Sequence, residues 1–254
     1  MKILFVFAHP EPKSFNGALL QTAMDHLNAR GHQVRVSDLY AQRFDPSAGP
    51  ADYTERANPD VYEYRAEMKH ALAGSGYVPQ IEEEQEKLRW CEVLILQFPM
   101  WWFGPPAILK GWIDRVMTYG FAYTPTQRFE DGLLKGRRAL VSVTTGARES
   151  VFAPDGMDGD IHRILWPLQN GVLRYVGFDV LPPFIAHGIG LIDEPARVAM
   201  LDALRNRLDS LLADAPLFFH PLADYGPDRR LKPGVTARTS FQWNPGDDWR
   251  PGLE

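Results

Sequence analysis

The chain has 254 residues, 45% of them hydrophobic, which is enough for one large or two small domains with a real core. Its formal charge of −5, with no Lys/Arg cluster longer than a pair, leaves no basic field for a polyphosphate backbone and excludes nucleic acid as an expected partner. A single cysteine, Cys91, excludes an internal disulfide and reads as a small buried hydrophobe in a reducing compartment.

The opening MKILFVFAHPEP carries an apolar run too short for a secretory segment, ended by Pro10 and Pro12. Residues 3–8 are β-rich and continuously apolar, the pattern of a parallel strand buried on both faces. A helix follows, with Asn16 able to cap it, Ala18, Leu19, Ala23 and Leu27 at helical spacing, and Gly31 as its stop. HQVRVSDLY alternates as a second strand. IEEEQEKLRWCE is a polar helix, whose Glu82, Glu83, Glu84 and Glu86 read as a solvated face, and VLILQF is a third strand. FPMWWFGPP interrupts the apolar stretch 93–109 too often for a membrane span, so the expectation is a cytoplasmic protein without membrane insertion. A helix at 106–117, the strand RRALVSVTT, a helix around 160–176, a short strand DVLPPF and a last helix at 195–213 complete the order. Five alternations of strand and helix predict a doubly wound five-stranded parallel sheet with helices on both faces, in the flavodoxin-like order 2-1-3-4-5.

Two segments stand outside the repeat. Residues 45–80 form an inserted segment, and 218–254 a proline-rich extension after a domain spanning 1–217. Their aromatic residues (Tyr53, Tyr62, Tyr64, Phe218, Phe219, Trp243, Trp249) point to packing, including on a second subunit.

Ligands of open α/β sheets sit beyond the carboxyl ends of the strands. After strand one, AHPEPKSFNG lacks G-x-G-x-x-G but sets Ser14, Phe15 and Asn16 at a helix N-terminus, where free N–H groups suit a phosphate as well as plain capping. After strand four, TTGA offers hydroxyls and close backbone approach. The aromatic run after strand three, alone, reads as core or a dimer patch; with the other two loops it reads as the wall of a site for a planar ring, a flavin. The histidines at 26, 32, 70, 187 and 220 show no ligand spacing, so no metal is expected.

QFPMWWFGPPAILKGWIDRV, FAY, TTG, GD with ILWPLQNG, GFDVLPP and AHPEPKSFN together resemble the NAD(P)H:quinone oxidoreductase (DT-diaphorase) family, from residue 1 to about 217. The resemblance implies a flavodoxin-like homodimer binding FAD, with FMN the alternative, and NAD(P)H and a quinone-like acceptor taking turns over the ring in a ping-pong cycle. By position, it implies that His9, Ser14, Phe15 and Asn16 hold the pyrophosphate and ribityl side. Pro99, Met100, Trp101, Trp102 and Phe103 would run along the ring, and Thr144, Thr145, Gly146 and Ala147 would donate to its N1–O2 edge. Arg197 would reach the adenine end, and Glu63 would stand where the partner subunit crosses.

The chain departs from the family where a tyrosine and a histidine take up charge during hydride transfer: Phe152 and Asp158 occupy those positions. Phe152 cannot donate a hydrogen bond. Of the family's substrate-lid tyrosines, Tyr123 is kept and the other is Pro125. His162, four residues after Asp158, is the candidate substitute acid if both lie on one helix face. Competing classes are an azo- or nitro-compound reductase, a one-electron carrier of the flavodoxin kind, and a flavoprotein regulatory subunit of a transporter.

Overall fold

Six parallel strands carry the architecture: β1 (Lys2–Phe7), β2 (Gln33–Asp38), β3 (Val93–Pro99), β4 (Arg138–Thr144), β5 (Asp179–Val180) and β6 (Phe184–Ala186). The structure, a computed structural model, describes residues 1–238; Trp243, Pro245, Trp249 and Pro251 lie outside the described residues. Strand order is β2-β1-β3-β4-β5, with β6 also beside β4, which is the flavodoxin-like order read from the sequence. β3 is buried at every residue, and β1 and β4 at all but the first, because helices cover both faces of the sheet. The expected fifth strand over 179–184 is split. Pro182 and Pro183 have no N–H to give to a ladder, so β5 pairs with Arg138 and Ala139 while β6 resumes opposite Ser142–Thr144.

Alternation along the strands builds two cores. Leu94, Leu96 and Phe98 face α4 (Ala107–Val116) and α5 (Ile161–Leu168) through Trp112 and Leu165. Val93 and Ile95 face α1 (Phe15–Ala29) and α6 (Glu194–Asp209) through Leu19, Leu27, Leu204 and Leu208.

Several local expectations need correction. Ser14, not Asn16, caps α1: its Oγ accepts from Gly17 N at 3.2 Å. Gly17 is required there because a Cβ would fall 1.9 Å from the Pro12 carbonyl oxygen, so the loop lies directly on the first turn. The helix around 160–176 is α5 followed by a π-helical turn, Gln169–Arg174. Pro167 inside α5 removes one ladder donor and crowds the preceding turn, which favours the shift to wider bonding.

Glu84 is not solvated. On α3 (Pro79–Trp90) it is 2% exposed, accepts from Trp112 Nε1 at 2.8 Å and pairs with Lys87 Nζ at 2.5 Å. The inserted segment folds back on its own chain. It carries α2 (Tyr64–His70) and a small core of Tyr53, Met68, Ala71, Tyr77 and Ile81. Gly111 of α4 lets it cross closely, since a Cβ there would lie 2.2 Å from the Pro46 carbonyl oxygen. Beyond α6, Leu217 N donates to the Val180 carbonyl at 2.8 Å, and Arg174 donates to the His220 carbonyl. Among the described residues, no helix is long and apolar enough to cross a membrane.

Candidate active site

Register sets the site. Phe7 pairs with Gln97, Pro99 with Thr144, and Thr144 with Ala186, so the loops after β1, β3, β4 and β6 leave the sheet side by side. A buried amide chain locks this edge. Asn16, fully buried, donates to Thr144 Oγ1 at 2.7 Å and accepts from Gln97 Nε2 at 2.7 Å, and Ser142 Oγ donates to Gln97 Oε1 at 2.5 Å. The Asn16 side chain is therefore spent inside the protein. What remains to meet an anion is its backbone N–H, with that of Phe15, in the first turn of α1.

Ser14 and Phe15 share a cavity of about 430 Å³ with Lys13, Ile189, Glu194 and Arg197, so the first loop and the start of α6 face each other. Arg197 is 43% exposed and 3.8 Å from Glu194. Its neighbours Lys13 and Ile189 escape a reading by motif. His9 leans toward Trp101, ring centres 6.4 Å apart, and its Nδ1 accepts from Glu11 N at 3.0 Å.

The aromatic stretch is a turn. Trp101 and Gly104 exchange two backbone bonds of 3.0 and 3.1 Å, and the residues between them, Trp102 and Phe103, have φ of +50° and +60°. That is the two-residue hairpin turn usually filled by Asn-Gly, and holding bulky residues there costs roughly 1–3 kcal/mol each. The turn presents its rings to the outside: Trp101, Trp102 and Phe103 are 42%, 98% and 52% exposed. Pro99 is buried at the end of β3, and Met100 N ties back to the Thr144 carbonyl at 2.8 Å.

After β4, Thr144 and Thr145 are buried, and the Thr145 hydroxyl donates to the Ala147 carbonyl at 2.8 Å. The Thr145 hydroxyl proton is thus spent inside the loop, and Thr144 Oγ1 accepts from Asn16. The backbone N–H groups of Gly146 and Ala147 make no bond among the described residues, so they are the donors this loop offers. His187, just past β6, places Nδ1 3.1 Å from Thr145 Oγ1 and its ring 5.8 Å from that of Phe152. Burial lowers the His187 pKa, while Glu149 opposes the shift. Considering only the loops after strands one, three and four misses this histidine; extending the same rule to the fifth strand finds it.

Asp158 is half-buried and lies before α5, which opens at Ile161 after its cap Asp160. It therefore cannot share a helix face with His162, which is exposed and has no ion pair with it. Tyr123 stands edge-on to Tyr119 (6.2 Å) and Tyr175 (5.5 Å), and burial raises its pKa. Glu63 is the N-cap of α2, accepting from Ala66 N at 2.6 Å. Among the described residues, no group of three or more His, Cys, Asp or Glu could hold a metal ion.

A family model described as the flavodoxin-like fold matches residues 1–208. The mouse protein named ribosyldihydronicotinamide dehydrogenase [quinone] is 43% identical over 221 residues, 87% of this chain and 96% of its own. The guinea pig NAD(P)H dehydrogenase [quinone] 1 is 41% identical, covering 87% of this chain and 80% of its own. A solved structure of a candidate quinone reductase from Klebsiella pneumoniae superposes with a TM-score of 0.90 at 39% identity, over 94% of this chain and 97% of the other. With the sheet order, the level strand ends and these likenesses together, the chain belongs to the NAD(P)H:quinone oxidoreductase family of the flavodoxin-like fold.

Proposed function

We propose that this chain is an NAD(P)H-dependent flavoprotein that reduces quinone-like acceptors by two electrons in a ping-pong cycle, with FAD as its flavin and a second copy of the chain closing the cleft. The observation that carries this reading is the single edge where an open helix N-terminus, a strained outward aromatic turn and two free backbone N–H groups meet. Both first-named relatives are quinone dehydrogenases by name, which supports the acceptor class.

The residues fit such a group. A bound flavin supplies N5 as hydride acceptor; everything else is the chain's work. Ser14, Phe15 and Asn16 offer the α1 N-terminus to the pyrophosphate beside His9. Pro99, Met100, Trp101, Trp102 and Phe103 give a flat apolar wall that keeps water from the reacting carbons. Gly146 and Ala147 donate to the pyrimidine edge, with Thr144 and Thr145 fixing their loop from below. The cavity at Arg197 provides room beyond a mononucleotide, which favours FAD over FMN.

Trp102, Phe103, Val61, Tyr62, Tyr64 and Leu72 expose apolar surface that a partner subunit would cover, with Glu63 and Tyr123 among the residues reaching across. Anaerobic addition of NADPH or NADH to the purified yellow protein is expected to bleach it, and menadione to restore the colour. Colourless protein that binds neither FAD nor FMN would sink the proposal.

A further inference from the structure

We propose that His187 holds the proton that offsets the charge gained when the flavin takes up a hydride, acting from a loop strapped to Thr145; this rests on the flavin reading above.

Two backbone bonds clamp the loop. Thr145 N donates to the Ala186 carbonyl at 2.9 Å, and Ile189 N to the Thr145 carbonyl at 3.1 Å. His187 lies between those anchors, half-buried. Its tautomer follows from counting protons. The Thr145 hydroxyl has one hydrogen and gives it to the Ala147 carbonyl at 2.8 Å, so at 3.1 Å from His187 Nδ1 it must accept, and Nδ1 must carry a proton. Neutral His187 therefore has a bare Nε2, a base beside the loop that offers Gly146 and Ala147 N–H.

The surroundings suit a group that is neutral at rest and charged on demand. Phe152 covers one side and cannot exchange a proton. Glu149, on the short helical turn Glu149–Phe152, is the carboxylate that favours the protonated ring; Arg148, which lies against the neighbouring Gly188, is the cation of the adjoining loop. No ion pair among the described residues involves His187. Neither Asp158 nor exposed His162 shares this position.

The chemistry balances. Hydride leaves C4 of the dihydronicotinamide with its electron pair and bonds to N5, leaving NAD(P)⁺ and one negative charge on the flavin. His187 Nε2 takes one proton from solvent, forming an N–H bond. In the second half, hydride would leave N5 for one quinone oxygen, an electron pair would pass through the ring to the other carbonyl oxygen, and the His187 proton would go to that second oxygen. The sum is NAD(P)H, quinone and one proton giving NAD(P)⁺ and hydroquinone.

The test is the flavin midpoint potential of the holoenzyme between pH 6 and 8, for wild type and His187→Gln. Glutamine can still donate to Thr145 Oγ1 but does not titrate. Wild type is expected to take up one proton more per electron pair than the variant, a slope steeper by about 30 mV per pH unit, since tenfold for two electrons is 29.6 mV. Equal slopes with flavin still bound would overturn the inference. If the variant does not fold, NMR titration of the His187 ring in wild type decides: a pKa at least about one unit higher in the reduced than the oxidised protein supports it, and equal values overturn it. A wild-type protein that binds no flavin overturns the flavin reading, and this inference with it.

Discussion

Arg115 Nε lies 2.8 Å from Asp52 Oδ1, with the two side chains only 4% and 3% exposed, and the same guanidinium reaches the Asp45 carbonyl at 2.6 Å and Gln80 Oε1 at 2.8 Å. One arginine of α4 thus holds both ends of the inserted segment. Arg115→Ala would leave Asp52 buried and unpaired, at a cost of about 3–5 kcal/mol. A fall in Tm of roughly 10 °C is expected by calorimetry, with new proteolytic cutting between residues 45 and 80. An unchanged Tm would show that the pair is not what fastens the segment.

Strain in the aromatic turn sets stability against binding. Replacing Trp102 and Phe103 by Asn and Gly fits the positive φ at both positions, so urea unfolding of the apoprotein should show a gain of about 1–3 kcal/mol. Flavin retention on gel filtration should fall at the same time. A variant that is both more stable and fully yellow would detach the turn from the cofactor.

Glycines separate by what surrounds them. Gly111→Ala forces a Cβ to 2.2 Å from Pro46 and should destabilise the fold by several times the roughly 0.5 kcal/mol typical of surface changes. Gly146→Ala meets nothing within 4 Å, so the same unfolding experiment should leave it near wild type.

Asn16→Ala removes a fully buried amide and strands Gln97 and Thr144. A loss of about 1–3 kcal/mol is expected in denaturant, together with weaker flavin binding, since Thr144 anchors Met100. Weakened binding without any stability loss would mean that Asn16 contacts the ligand itself.

Cys91 is buried, and burial pushes its thiol up to about 12 from 9.0. Between those values the unfolded chain ionises this thiol and the folded chain does not. The native state therefore binds more protons, and stability falls as pH rises, by about 1.4 kcal/mol per unit at most from this group. Urea midpoints measured from pH 8 to 11 should decline, and Cys91→Ala should flatten the decline. A thiol reagent at pH 8 should leave the folded protein unmodified.

The sheet was legible because burial on both faces demands unbroken apolar runs, and β1, β3 and β4 carry them. Glu84 was not, because four glutamates on one helix look alike until Trp112, 28 residues later, picks one of them. Ser14 and Asn16 are both good caps; Gln97 and Thr144, 81 and 128 residues from Asn16, draw it inside and leave the capping to Ser14. In the loop after β4 the sequence groups Thr144, Thr145, Gly146 and Ala147 as donors alike, since nothing local tells that the Thr145 hydroxyl spends its proton on the Ala147 carbonyl. His187 has no motif around it. It enters through the clamp of its loop onto Thr145, a relation between residues 42 apart.

The π-helical turn Gln169–Arg174 works as a phase shifter. It spends one residue more per turn than an α-helix, and one residue is about 100° of rotation. Leu173 within it and Val176 just past it are buried in the core, as Leu165 and Leu168 are before it. Deleting a single residue here would let the segment close as plain α-helix with Leu173 and Val176 still on the core face, whereas forcing α geometry on all six residues would turn those two away by about 100°. The wide turn absorbs one extra residue and keeps Leu173 and Val176 on the core side with Leu165 and Leu168.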